Sequence, residues 1–260
     1  MIEHKVAQGS AAWFAIRRGI PTAGSFHKLI TPKKMEISAQ RYDYACQLIA
    51  EKLLNTTLQS LDGLEHIERG KALEGPAVQQ YEFVNDVQTR AVGFLTTDDG
   101  MVGASPDRLI VGRARGLEIK APAPNTQISY LLFGTDEKYR PQVQGQMWVG
   151  ELDDSDFYAY AERMPAVSIR TPRDEPFIKK LREVVWQFND ELAGWTEKAK
   201  ALGIFQAFEE IRPPAEQEYA DDLQAELAPA APLYDAAKVA GYDPLELDRE
   251  MGWIDPNTGA

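Results

Sequence analysis

Two acids and a lysine, Asp107, Glu118 and Lys120, have the types and spacing of a hydrolytic centre. They lie in Gly103-Ala104-Ser105-Pro106-Asp107-Arg108-Leu109 and Gly116-Leu117-Glu118-Ile119-Lys120, two short β-like stretches separated by turn residues. Side chains alternate along a strand, so Glu118 and Lys120 share one face while Leu117 and Ile119 share the other. A short turn can bring Asp107 beside Glu118. Two converging carboxylates form a hard-oxygen site suited to Mg²⁺, with Mn²⁺ as a substitute. A phosphodiester needs its charge masked before water can attack, and a carboxylate-held cation does this while acidifying water. Lys120 then orients or deprotonates the water, or offsets charge in the transition state. A D-x₁₀-E-x-K string alone also fits a salt bridge on an ordinary hairpin.

Other residues add to the pattern. Glu74, in Gly70-Lys71-Ala72-Leu73-Glu74, is a third acid on a helix before the strands. It could complete a cation shell or organise a second ion. Gln142 and Gln146 lie four residues apart on a helix after them and share one face. Amides in such a row position water or phosphate. In Arg17-Arg18-Gly19-Ile20-Pro21-Thr22-Ala23-Gly24-Ser25 an arginine meets a helix start, which is an anion-binding arrangement.

The elements that must position these residues can be read from periodicity. Ala11–Arg18 reads as a short helix, and Thr22 as the N-cap of another reaching about Ile30. Ser38–Leu54 and Leu64–Val84 have helical spacing, the second with Gly75-Pro76 as a point of bending or splitting. Val87–Thr97, Met101–Ser105, Arg108–Val111 and Gly116–Lys120 read as strands. Glu137–Val149 is helical, Asp156–Glu162 and Ala166–Arg170 are strand-like, and Asp174–Lys198 is a long amphipathic helix. This order predicts an α/β (α+β) domain with a central mixed β-sheet flanked by helices, spanning residues 1–205. Residues 206–260, with Pro/Ala-rich joints at 212–215 and 228–232, read as an appended extension.

Charge follows the same division. The 260 residues carry a net charge of −12. Residues 201–260 hold thirteen acids against three basic residues, whereas residues 1–55 hold eight basic residues against four acids. An acidic total therefore does not exclude nucleic acid, because binding responds to the local field. The single cysteine, Cys46, excludes a disulfide framework and a Cys-ligated zinc or iron–sulfur site. No apolar run reaches membrane-spanning length, and Met1–Lys5 has no apolar leader core, so a cytoplasmic protein is expected, without membrane partners.

The motifs W-x₃-R-x-G-x₂-TA, G-K-x₂-E, S-P-D, L-E-I-K and Q-x-Q-x₃-W run in order over residues 8–150. This series resembles the phage lambda exonuclease family, the YqaJ-type viral recombinases within the PD-(D/E)XK nucleases. The resemblance spans about the first 200 residues. It implies a restriction-endonuclease-like core and Mg²⁺-dependent 5′→3′ digestion of linear double-stranded DNA, leaving a 3′ strand for phage-type recombination. It also implies a ring of three subunits in the host cytoplasm, and a single-strand annealing protein as partner. By motif match, Asp107, Glu118 and the Ile119 carbonyl would hold the metal, and Lys120 would be the catalytic lysine. Glu74 and Gln142 would support metal and water. Arg17 would hold the 5′-phosphate, with Thr22, Ser25 and Ser105 around it. Where the family has a Ser two residues after the Thr, this chain has Gly24, with Ser25 adjacent. The competing readings are an endonuclease of the same superfamily and a non-catalytic module that binds DNA ends and recruits an annealing protein.

Overall fold

The structure is a computed structural model that describes residues 1–58 and 64–204. The element order is β1 (Ile2–His4), α1 (Ala11–Arg17), a 3₁₀ helix (Ala23–Lys28), α2 (Arg41–Leu53), α3 (Leu64–Asn85), β2 (Thr89–Ala91), β3 (Phe94–Thr96), β4 (Gly103–Ala104), β5 (Arg108–Ile110) and β6 (Arg115–Lys120). It continues with α4 (Pro124–Phe133), a 3₁₀ turn (Glu137–Tyr139), α5 (Arg140–Val149), β7 (Asp154–Ala159), β8 (Val167–Pro172) and α6 (Glu175–Ala201). The 206–260 extension lies outside the described residues.

Five strands form a mixed sheet in the order β2-β5-β6-β7-β8, and β1-β3-β4 form a smaller one. In the larger sheet only β6 and β7 run parallel. Parallel neighbours require a crossover, and α4 and α5 supply it. This makes β6 the central strand, covered on both faces. On one face α3 packs Ala77 and Tyr81 against Ile110, Leu117 and Tyr158. On the other, α5 and α6 join the first 3₁₀ helix and α2 in the main core, which includes Phe26, Leu48, Met147, Phe177, Leu181 and Phe188. The expectation of a mixed sheet flanked by helices holds.

Local sequence accounts for the boundaries. Ser10 caps α1 by accepting from the Trp13 amide at 3.2 Å. Asp174 caps α6 through the Phe177 amide at 3.1 Å, with Pro176 in the first turn, where a missing N–H costs nothing. Helix α3 runs through Gly75-Pro76 as one element rather than splitting. Thr22 does precede a helix, but a 3₁₀ one, and its side chain makes no capping bond. Gly145 sets the height of α5 above the first 3₁₀ helix. A β-carbon there would stand 2.4 Å from the Phe26 ring, so only glycine permits this approach. Two elements were not foreseen. β1 is three residues long and α4 lacks amphipathic spacing, so neither leaves a periodic signal.

Candidate active site

Strand β6 places Glu118 and Lys120 side by side on the face turned toward α5. Glu118 is 2% exposed, and its Oε1 accepts from the Lys120 ammonium. The antiparallel register sets Arg108 opposite Leu117, which brings the preceding Asp107 opposite Glu118. The Asp107 carboxylate accepts the Ile119 backbone N–H at 2.6 Å. In a strand the N–H and C=O of one residue face the same edge. The Ile119 carbonyl therefore lies on the edge occupied by Asp107. Thus Asp107, Glu118, Lys120 and Ile119 meet at one end of the central strand.

The electrostatics follow from burial and proximity. Burial first, then the Glu118 charge, hold the Asp107 carboxyl well above the usual carboxylate range. For Lys120, burial pulls the other way, but Glu118 and Asp107 outweigh it and raise its pKa, so the group is an ammonium. In this state Lys120 can donate a hydrogen bond or offset negative charge.

Helix α5 holds the same carboxylate from above. Gln142 donates to Glu118 Oε1 at 2.5 Å and Gln146 to Oε2 at 2.6 Å. Gln142 thus stands where the sequence put it. Gln146 belongs to the site as well, although only its shared helical face with Gln142 pointed to it.

A cavity of about 550 Å³ is lined by Arg17, Thr22, Ser25, Tyr44, Lys71 and Glu74, among others. Arg17 lies over the Trp13 ring at 4.0 Å, and burial lowers its pKa, though a guanidinium stays charged. Among the described residues its guanidinium has neither a hydrogen bond nor an ion pair. A half-buried arginine that makes no direct ion pair, with Glu51 acting on it only through its charge, faces a cavity and is suited to an incoming anion. The Tyr44 hydroxyl accepts the Thr22 N–H at 3.1 Å and so anchors the turn that carries Thr22 and Ser25. Glu74 lines this cavity, and its charge reaches Asp107. Ser105 is placed differently. Its hydroxyl accepts from the Trp13 indole at 3.1 Å and donates to the Gly93 carbonyl at 3.2 Å. Its single proton is therefore already used, and Ser105 braces Trp13 beneath Arg17.

The donor set fits a hard divalent cation. Among the described residues no three His, Cys, Asp or Glu side chains converge. Two carboxylates and a backbone carbonyl leave the remaining positions to water and phosphate oxygens, as Mg²⁺ prefers. The raised Asp107 pKa, set first by burial and then by the Glu118 charge, fits this: a cation in place of the proton would offset both the burial and the repulsion. Asp107, Glu118 and the Ile119 carbonyl are the groups that would hold it.

Residues 12–153 match the family model of the YqaJ-like viral recombinase domain. No curated protein matches the chain. Among solved structures, it is similar to the alkaline exonuclease LHK-Exo of Laribacter hongkongensis, with a TM-score of 0.67 and 28% identity over 75% of this chain and 98% of that one. A second structure of LHK-Exo, in complex with dAMP, matches with a TM-score of 0.67 and 29% identity over the same shares of the two chains. A phage-related exonuclease from Haemophilus somnus 129PT, 15% identical, shares the fold with a TM-score of 0.55 over 67% of this chain and 95% of that one.

Proposed function

Because the chain belongs to the YqaJ-like viral recombinase domain family, we propose that it is a divalent-cation-dependent nuclease that degrades linear double-stranded DNA from its 5′ ends and leaves a 3′ strand for recombination. The observation that carries this reading is the meeting of Asp107, Glu118 and Lys120 at the end of β6, next to α5 and its amides. The alkaline exonuclease neighbours support the reaction class.

A bound Mg²⁺ supplies Lewis-acid polarisation of the phosphoryl oxygen and a more acidic water. The chain's own residues do the rest. Asp107 and Glu118 hold the cation with the Ile119 carbonyl. Gln142 keeps Glu118 in one rotamer, with its lone pairs aimed. Lys120, as an ammonium, offsets the charge that grows on the phosphorane-like transition state. Arg17, at the cavity wall, accepts the terminal 5′-phosphate, and the Thr22–Ser25 turn lies beside it. Glu74 lies between the two regions and adds negative charge near Asp107. Binding the end phosphate in this cavity sets which phosphodiester meets the acids, so polarity follows from geometry.

Digestion of linear duplexes labelled at either the 5′ or the 3′ end, with and without Mg²⁺, tests the proposal. Early release of the 5′ label, only with the cation, is the expected result. Early release of the 3′ label would overturn the polarity. Cleavage of a closed circular duplex would instead favour an endonuclease.

A further inference from the structure

We infer that Gln146 is a positioning residue of this centre: its amide nitrogen ties the Glu118 carboxylate to the Ser105 backbone and so fixes the separation of the two cation-holding acids. The inference rests on the cation-dependent reading above and extends it to a residue outside the acid–lysine set.

Gln146 is 1% exposed, and its Nε2 lies 2.6 Å from Glu118 Oε2 and 3.4 Å from the Ser105 carbonyl. Both recipients are acceptors, so the nitrogen, with its two hydrogens, must face them. A flipped amide would set oxygen against two oxygens. The division of labour on Glu118 is uneven. Oε1 takes both Gln142 and Lys120, whereas among the described residues Oε2 takes Gln146 alone. Ser105 lies two residues before Asp107. Gln146 therefore spans the two chain segments that bear the acids, β6 and the 105–107 link. Its own Oε1 is buried without a partner among the described residues. An apolar side chain of equal length would fill this space without leaving that oxygen unpaired. What the amide contributes here is therefore its nitrogen.

The test uses the full chain, free of DNA, with Gln146→Met and the smaller Gln146→Ala. Mn²⁺ alone is titrated by calorimetry, and melting temperatures are recorded. Both variants are expected to bind Mn²⁺ about 10–100-fold more weakly, the usual loss when a partner of a metal ligand is removed. Raising Mn²⁺ should recover kcat in degradation of linear duplex, with KM for DNA ends unchanged. Mn²⁺ affinity within twofold of the parent in either folded variant would overturn the inference. So would a lower melting temperature with unchanged affinity, which would assign Gln146 to packing. A parent protein that binds no Mn²⁺ would overturn it too. Should the parent bind Mn²⁺ yet degrade no DNA, only the nuclease reading fails, and the affinity loss still supports the role of Gln146.

Discussion

At the residue scale, the chemistry depends on one lysine held as a cation by Glu118, with the Asp107 charge nearby. Replacing it by Lys120→Ala removes the only ammonium in contact with Glu118 among the described residues. We expect kcat to fall by at least about 10²-fold, comparable to losing one preorganised donor, with DNA binding retained. Filter binding in Ca²⁺ alongside a single-turnover assay in Mg²⁺ measures both, and unchanged hydrolysis would contradict the assignment. Asp107 gives a pH signature. Its pKa is raised in the folded chain, by burial and then by Glu118, so the folded state holds the proton more tightly than the unfolded state. The stability this provides is complete below the ordinary carboxylate range and is lost as pH rises through the raised value. Metal-free protein should therefore melt at lower temperature across that window, and Asp107→Asn should remove the decline. The acid–lysine set was legible because strand alternation puts Glu118 and Lys120 on one face, a short turn can bring Asp107 beside them, and the motifs run in a family's order. The bonding of Ser105 was not, because nothing local to Ser105 indicates that a distant indole and the Gly93 carbonyl will occupy its hydroxyl.

At the scale of elements, α5 is the part whose placement matters most. It supplies both amides to Glu118, and it sits low because Gly145 has no side chain to meet Phe26. Gly145→Ala adds a methyl where the Phe26 ring lies 2.4 Å away, and overpacking of this kind costs roughly 1–3 kcal/mol. Chemical denaturation should show that loss, together with reduced activity, since α5 must lift and carry Gln142 and Gln146 with it. Unaltered stability would mean that the ring moves aside. Helical spacing marked α2, α3 and α6 to within a few residues, and α5 was placed as well although it is buried nearly all round. Helix α4 was missed because apolar residues crowd Ile128–Phe133 without a polar face, Pro122 precedes it and Pro124 is its first residue. The cavity around Arg17 was also hidden. It is closed by α2 and α3 residues such as Tyr44 and Glu74, distant in the chain and brought together only by tertiary packing.

At the scale of the molecule, charge is arranged unevenly. Residues 1–55 are net basic and bear Arg17, while residues 212–260 hold eleven acids against three basic residues. Phosphate contacts release counterions, so degradation at subsaturating DNA should drop steeply between about 50 and 200 mM salt. Removing residues 212–260 takes away charge that repels DNA. We expect tighter binding to duplex ends at low salt and an intact hydrolytic step, as read by end binding and single-turnover rates. The expected ring of three subunits is checked by native mass. Among the described residues no helix is long and apolar enough to cross a membrane. All of these expectations depend on one claim, that Asp107 and Glu118 form a single cation site. Crystals soaked in Mn²⁺ and measured at its absorption edge test this most directly. An anomalous peak between the two carboxylates, beside the Ile119 carbonyl, is the predicted result. A peak elsewhere, or none at concentrations that support DNA degradation, would contradict the account.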